Sequence, residues 1–464
     1  MTNPGPHMPE TSTRQATVLH ELSAAQAARL IRARELSPVE LVNALLARAA
    51  DIDQRVTAWV RLDAERALAA AGAAEQALLP DADLPELHGV PFGAKDIFDS
   101  AGLITAAGFR PYANRTPTTD AEPIARLKRA GAILLGKMVT TQFAHADPSP
   151  TRNPWAEDRT PGGSSSGSAA GVAARLVPMA LGSQTAGSVL RPAAYNGVVG
   201  FKPTYGRVSK RGVFPLAWSL DHIGVLTRSV EDCGLFLSAV AGHDPLDPAS
   251  ANQPLPAIDL DTEPAPPRLG LVGEAIQYAT PGVRDHLLGV AAQFEAAGAR
   301  VEEVSLGEPL DLILAVHHVI MQTEAAAAHW QLLEQYPGAH VPRLRAYVEV
   351  GRLLPGVVYV HAQRLRRRIR EAMRRSLAGV DALLMPTATD VAPTRETTGD
   401  PSLQAPFTLV GFPSLSLPSG LAEPERLPLA IQLVAPAWQE ARLLAVGRWC
   451  EAQLPPAPAP PLAA

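Results

Sequence analysis

Cysteine is scarce in this chain of 464 residues, because only Cys233 and Cys450 occur. Two isolated cysteines exclude a disulfide framework. No run of about 18 apolar residues is present, which argues against a membrane-spanning helix. The net charge is only −5, so electrostatics offer no argument for a nucleic-acid partner. Residues 1–14 contain no apolar signal core, and we therefore expect a cytoplasmic protein without nucleic acid or membrane partners.

The composition is that of a globular enzyme, with 47% hydrophobic and 19% charged residues. Length alone suggests about three domains. After Pro91, short apolar runs such as 132–135 and 198–201 alternate with helical patterns such as 169–176. This alternation predicts an α/β fold whose sheet is covered on both faces. We expect residues 1–16 to be disordered, and the Pro/Ala-rich tail at 455–464 to be mobile.

Several helices are indicated by local signals. Residues 23–26 and 37–40 each have serine followed three residues later by Gln or Glu, the pattern of a capping box. Residues 307–378 are mostly helical in pattern. The arginine-rich run 363–370 contains an apolar stripe at four-residue spacing, which predicts a helix whose arginines face solvent rather than a nucleic-acid patch. That stripe consists of Leu365, Ile369 and Met373.

Two Gly/Ser-rich turns lie between residues 161 and 192, separated by a small apolar segment. Glycine permits close backbone approach, so N–H groups can point at a ligand, and serine supplies a potential nucleophile. About seventy residues earlier, Lys95 follows a Gly/Pro turn within residues 89–96. One lysine with two serine turns predicts acyl transfer without histidine. The serines concerned are Ser164, Ser165, Ser166, Ser183 and Ser188.

The segment resembles the core of the amidase signature hydrolases, a family that includes carbamate-cleaving relatives. Further matching blocks occur in the family order, and recognisable similarity covers about residues 20–245 and 380–450. The resemblance implies one continuous domain, residues 17–454, around a single large mixed sheet covered by helices on both faces. The matching blocks are 89–96, 153–155, 197–207, 219–224, 411–413 and 427–433.

The resemblance also implies a role for each residue of the two turns. Ser188 falls on the nucleophile, Lys95 on the base, and Ser164 on a bridging serine whose preceding peptide bond is cis; Ser165 and Gly163 fall on supporting positions. These residue types suit the chemistry, because a serine hydroxyl needs a base to remove its proton. Lysine is a base only when neutral, and burial lowers its pKa toward that state. Ser164 can relay the proton because a hydroxyl both donates and accepts.

A tetrahedral intermediate needs an oxyanion hole, and the backbone N–H groups of residues 185–188 are the candidates (Thr185, Ala186, Gly187 and Ser188). Three departures from the common family pattern lie here. Gln184 replaces the usual aspartate, Ala186 replaces the usual glycine, and Arg191 comes one position later than the usual arginine. We interpret them as marks of a reshaped acyl pocket.

The region that matches the family least, residues 307–378, is expected to form variable pocket walls and to select the substrate. The residues assigned to the pocket are Phe143, Leu314, His318 and Met321. A metal site at His317, His318 and Glu324 is disfavoured because no HExxH pattern and no cysteine ligand are present. We expect neither metal nor cofactor.

A rival assignment of the nucleophile comes from residues 163–167, which satisfy the G-x-S-x-G elbow of α/β-hydrolases and would make Ser165 the nucleophile. That elbow should follow a strand, yet residues 158–161 do not form one by pattern.

The preferred function is hydrolysis of an amide or carbamate C–N bond, other than a peptide bond, through a Ser188 acyl-enzyme. The expected partner is a small-molecule substrate, and the expected state is a monomer or homodimer. One alternative is the glutaminase subunit of a transfer-RNA-dependent amidotransferase. A second is a non-enzymatic binding protein on the same scaffold, against which the intact Lys95, Ser164 and Ser188 argue.

Overall fold

The computed structural model describes residues 18–79 and 83–462. The predicted disordered segment 1–16 lies outside the described residues. A mixed sheet of eleven strands organises this part of the chain. The strands are β1 Trp59–Leu62, β2 Pro91–Lys95, β3 Ile133–Met138, β4 Met179–Gln184, β5 Val199–Lys202, β6 His222–Thr227, β7 Arg268–Val272, β8 Arg300–Val304, β9 Ala382–Pro386, β10 Ser414–Ala422 and β11 Leu427–Val434.

The strand order across the sheet is β1-β3-β2-β4-β6-β5-β10-β11-β9-β7-β8. Strands β3, β2 and β4 are parallel neighbours, and so are β9, β7 and β8. Antiparallel pairs join these two parallel groups through β6, β5, β10 and β11. The single mixed sheet predicted above is confirmed, and one continuous sheet replaces the three domains that length alone suggested.

Both faces of the sheet are buried, as alternate residues of β4 demonstrate. Met179 and Leu181 belong to one hydrophobic cluster, whereas Ala180, between them, belongs to another. Strand β9 alternates in the same way, with Leu384 in the first cluster and Leu383 in a third. Because successive strand residues point to opposite faces, these assignments require helices on both sides, as predicted.

Fourteen α-helices occur in the described part of the chain. The two predicted capping boxes are present: Ser23 and Ser37 each accept from the backbone N–H three residues on, and Gln26 and Glu40 bond back to the serine amide. The helices are α1 Ala24–Arg32, α2 Pro38–Val56, α3 Ala64–Gln76, α4 Glu122–Arg129, α5 Ser166–Ala173, α6 Leu190–Asn196, α7 Val230–Val240, α8 Gly273–Tyr278, α9 Pro281–Ala296, α10 Leu310–Gln335, α11 Pro342–Gly351, α12 Gly356–Ser376, α13 Ala405–Val410 and α14 Glu440–Gln453.

The arginine-rich run lies on α12, as predicted, but one of its arginines does not face solvent. Ile369 and Met373 are buried as expected. Arg366 is buried too, and its guanidinium donates to the carbonyl oxygens of Leu409 and Ser219. The periodicity could not reveal this, because those carbonyls come from segments distant in sequence.

Residues 455–462 of the C-terminal tail lie against the domain, and the mobility expected after Leu454 stays a prediction. Leu462 is buried, and its backbone N–H donates to the Pro154 carbonyl at 3.3 Å. Pro455 and Pro456 line a surface cavity together with Gly197. Proline-rich chain can dock in this way because it has few backbone donors to satisfy.

Candidate active site

Lys95 and Ser164 meet at the carboxyl ends of two neighbouring parallel strands, and Ser188 follows the second of these strands. Lys95 is the last residue of β2, and Ser183 lies near the end of β4. The two strands pair in parallel, so their ends lie at the same edge of the sheet. Ser164 and Ser165 come directly before α5, and Ser188 lies in the turn between β4 and α6.

The Lys95 amino group is surrounded by hydroxyl groups. Its Nζ lies 2.6 Å from Ser164 Oγ, 2.8 Å from Ser183 Oγ and 3.1 Å from Ser165 Oγ, and the side chain is fully buried. Burial lowers the pKa of Lys95 well below its ordinary value, while the charge of Asp221 acts in the opposite direction. A neutral amine can accept a proton, so this environment suits a general base.

Ser188 lies on the wall of a cavity of about 520 Å³, which also includes Thr185, Ala186 and Arg191. Ser165 is fully buried and does not line this cavity; its hydroxyl contacts Lys95 instead. Ser165 follows a turn rather than a strand, so the geometry of the α/β-hydrolase elbow is not present. The peptide bond between Gly163 and Ser164 is cis, as the family resemblance implies.

Four consecutive backbone amides, those of residues 185–188, have no hydrogen-bond acceptor in the described part of the chain. The next two amides, of Val189 and Leu190, both donate to Gln184 Oε1, at 2.9 and 3.0 Å. Gln184 therefore caps the start of α6 and leaves the preceding amides available. Such a run of unpaired donors beside Ser188 could stabilise an oxyanion.

The carbonyl groups of the same turn are held from outside. His317 Nε2 lies 2.9 Å from the Thr185 oxygen, and Thr408 Oγ1 donates to the Ala186 oxygen at 2.7 Å. Burial lowers the pKa of His317 to about 4, so its imidazole is neutral near pH 7 and donates this bond. Ala186 does not adopt a positive φ, so its side chain introduces no backbone strain in the turn.

Two of the four predicted pocket residues line the cavity, and two do not. His318 and Met321, from α10, lie on its wall. Phe143 is buried among aromatic rings, 4.9 Å from the Phe109 ring centre, and Leu314 contacts the cluster beneath α10 and α12. Helix α11 contributes four further residues to the wall, Arg343, Ala346, Tyr347 and Val350.

Sequence reasoning missed three positioning residues. Ser183 stood in the second serine turn without a role, yet it contacts Lys95. His317 was considered only as part of a disfavoured metal site, and Thr408 had no local signal because it reaches the turn from α13.

Across residues 18–79 and 83–462, no three His, Cys, Asp or Glu side chains are grouped so as to hold a metal ion.

The sequence profile described as Amidase matches residues 40–444. The chain belongs to the amidase signature family. It is 36% identical to a glutamyl-tRNA(Gln) amidotransferase subunit of Roseiflexus sp. (strain RS-1), and the alignment covers 93% of this chain and 96% of that protein.

Solved structures of this family are similar over nearly their whole length. One is described as a vestigial protein complex that reveals the evolutionary origins of an s-triazine catabolic enzyme; its TM-score is 0.88 at 30% identity, covering 94% of this chain and 100% of that one. Another is the peptide amidase PAM with the competitive inhibitor chymostatin, with a TM-score of 0.84 at 30% identity, covering 95% and 99%.

These relatives correct one prediction and limit others. The expectation of a small-molecule substrate alone, with no nucleic acid and no partner beyond a second copy, is wrong, because a relative covering 93% of the chain is one subunit of an amidotransferase named for a transfer RNA. No relative described above is named for a carbamate, so the carbamate-cleaving prediction is unsupported. The prediction that peptide bonds are excluded is not confirmed, because one of the similar structures is named a peptide amidase.

The described helices were also compared with the length and hydropathy of a membrane span, and none of them meets both requirements.

Proposed function

We propose that this family member cleaves an amide C–N bond through an acyl-enzyme at Ser188. The observation that carries the proposal is the buried Lys95, held 2.6 Å from the Ser164 hydroxyl beside the cavity that Ser188 lines. Lysine without a carboxylate contact, in a desolvated site, is suited to receive a proton. In the described part of the chain the Ser188 hydroxyl has no hydrogen-bond partner, so it is available to a substrate.

The steps follow from this arrangement. When substrate binding brings the two serine hydroxyls within hydrogen-bond reach, Ser188 Oγ forms a bond to the amide carbon as its proton passes to Ser164, whose own proton passes to Lys95. The carbonyl oxygen becomes an oxyanion facing the free amides of residues 185–188. The C–N bond then breaks, and the departing amine takes a proton back through Ser164. Water hydrolyses the acyl ester, which yields a carboxylic acid and free Ser188.

The relatives named as amidotransferase subunits best support one biological setting. In this setting the chain is a subunit of a transfer-RNA-dependent amidotransferase and releases ammonia from an amide. The match to these relatives covers most of both chains, including the variable region 307–378. A similar structure described as a protein complex also favours a partner protein.

A stand-alone amide hydrolase is the second candidate, and the cavity favours it. Among the described residues no Asp or Glu lines the cavity beside Ser188, so the α-ammonium group of glutamine would lack an acidic partner from them. The similar peptide amidase accords with a hydrolase.

Two measurements test the proposal. After treatment with a fluorophosphonate, mass spectrometry should place the adduct on Ser188, and Ser188→Ala should abolish both labelling and turnover. Ammonia release from glutamine should then be measured with the chain alone and with amidotransferase partner proteins from its own organism. Release that requires the partners favours the first setting, and partner-independent turnover of other amides favours the second. An adduct on Ser165 would contradict the mechanism.

A further inference from the structure

The oxyanion turn, residues 185–188, borders open space on two sides. Thr185 lines the cavity beside Ser188, and it also lines a second cavity of about 100 Å³ together with Ser183, Asp221 and Trp218. A group that borders a void loses packing contacts on that side. Packing alone therefore does not fix the oxyanion turn, and its position depends on hydrogen bonds.

The register of two antiparallel strands brings Asp221 opposite Thr185. Gln184, the last residue of β4, pairs with His222, the first residue of β6. Thr185 and Asp221 are the next residues beyond these two, so they face each other just outside the sheet. The Thr185 hydroxyl donates to Asp221 Oδ1 at 2.6 Å. This contact joins the start of the oxyanion turn to the loop before β6.

Asp221 is itself held by that loop. Its Oδ2 accepts from the backbone amide of Leu216 at 2.9 Å, and its two oxygens accept from the amide of Ala217 at 3.2 and 3.1 Å. No lysine or arginine of the described chain forms an ion pair with Asp221, and Lys210 acts on it through its charge. A carboxylate fixed by two amides is a preorganised acceptor, so it can hold the Thr185 hydroxyl in one place.

The same carboxylate acts on the base. Among the described groups, Asp221 is the one whose charge acts on Lys95, and this charge raises the pKa that burial lowers. The proposed reaction turns the neutral Lys95 amine into a buried ammonium group, which is costly without an opposite charge nearby. A carboxylate in direct contact would keep Lys95 protonated. Because Asp221 makes no such contact, it can stabilise the ammonium group and still allow Lys95 to be neutral beforehand.

We propose that Asp221 is a positioning residue for the reaction at Ser188, with two effects on it. Through the Thr185 hydroxyl, Asp221 holds the oxyanion turn in one position. Through its charge, it stabilises the ammonium form of Lys95 that arises in each turnover. The proposal rests on the proposed reaction at Ser188 and applies to any amide that this chain cleaves.

Phosphonylation of Ser188 by a fluorophosphonate tests both effects without a known substrate. Ser188 Oγ bonds to phosphorus, fluoride leaves, and the serine proton passes through Ser164 to Lys95. The reaction therefore needs the same base and the same turn. Its rate constant kinact and its binding constant KI should be measured separately across a range of pH, by mass spectrometry of the adduct.

Asp221→Asn removes the charge and keeps an oxygen that can accept from Thr185. The pKa of Lys95 then falls further, so the rise of kinact with pH should move to lower pH. The plateau of kinact should fall by about 10-fold, part of the rate that a general base contributes. Asp232→Asn is the matched control, because Asp232 is a buried carboxylate that accepts from the amide of Ala25 and does not act on Lys95. Its kinact profile should match that of the wild type.

Thr185→Val removes the hydroxyl and keeps the shape of the side chain. It should lower kinact by about 10-fold and leave KI nearly unchanged, a smaller effect than the outright loss of an oxyanion donor. The pH at which kinact rises should not move, because the Asp221 charge remains. Thr185→Ser keeps the hydroxyl and should restore most of kinact.

A wild-type kinact and an unshifted pH profile in Asp221→Asn would overturn the inference, and so would a wild-type kinact in Thr185→Val. Both results leave the proposed reaction intact. If Asp221→Asn does not fold, the two Thr185 variants decide. Absence of a Ser188 adduct in the wild type would contradict the proposed reaction and the inference together, and this result is obtained before any variant is compared.

Discussion

Replacing Lys95 with methionine tests the proposed base most directly, because it removes Nζ and keeps a side chain of similar length. The amine contacts three hydroxyls and is fully buried. General-base catalysis typically contributes about 10²–10⁴-fold in rate, which corresponds to about 2.7–5.4 kcal/mol. We expect Lys95→Met to lose a factor in this range on amides and less on activated esters, whose leaving groups need no proton.

The pH dependence follows from the protonation state that the base requires. Burial lowers the pKa of Lys95, and only the neutral amine can accept the proton from Ser164. The wild-type kcat/KM should therefore rise with pH and level off above the lowered pKa of Lys95. In Lys95→Met this rise of kcat/KM with pH should be missing. Lys95→Arg should be inactive because arginine stays protonated. A fully active Lys95→Arg protein would refute the assignment.

The same substitution should change how stability varies with pH. Between the lowered folded pKa of Lys95 and its ordinary unfolded pKa, the unfolded chain binds more protons than the folded one, so this residue makes the wild type more stable as pH rises. Lys95→Met lacks that pH-dependent contribution. The substitution also leaves buried hydroxyls without a partner, which lowers the free energy of unfolding by about 1–3 kcal/mol at every pH. Relative to wild type, the variant should therefore lose stability as pH rises toward 10 in urea denaturation. Parallel curves would show that Lys95 is not buried in a neutral form.

Other substitutions test the nucleophile, the oxyanion turn and the packing near it. Ser188→Ala should abolish amide turnover and Ser165→Ala should retain some, measured on purified proteins with unchanged circular dichroism; the opposite order would favour the elbow assignment. His317→Ala removes the donor to the Thr185 carbonyl and should lower kcat more than it raises KM, whereas a change in KM alone would show that this residue contacts substrate only. Gly167→Ala would overlap backbone atoms of Ala58 and Val139, and overpacking of this kind costs about 1–3 kcal/mol. The exposed helical Gly289→Ala is its matched control; it meets no neighbour and should raise the free energy of unfolding by about 0.5–1 kcal/mol.

Sequence reasoning predicted most of the architecture because the relevant signals are local. The capping boxes at Ser23 and Ser37 depend on residues three apart, and alternating apolar runs follow from the geometry of strands and helices. The single mixed sheet did not follow from local signals. Alternation of apolar runs predicted only an α/β fold, and the continuous sheet was predicted from the resemblance to the amidase signature family.

The catalytic constellation was also proposed from sequence, since Lys95, Ser164 and Ser188 lie in Gly/Ser-rich turns of recognisable order. The structure brings Lys95 and Ser164 together at 2.6 Å. Two predictions differ from the structure for the same reason: Arg366 was expected to face solvent, and Phe143 and Leu314 were expected to line the pocket. Apolar periodicity indicates that a side chain is buried, but it does not identify what the side chain is buried against.

The sequence by itself therefore determined the family, the helix starts and the residue types in the two turns, all of which depend on short spacings. Only the tertiary structure decided that His317 and Thr408 hold the carbonyls of the second turn and that Arg191 lines the same cavity as Ser188. Hydrogen bonds and cavity walls join segments more than a hundred residues apart, and their distances and directions are set by how the helices dock on the sheet.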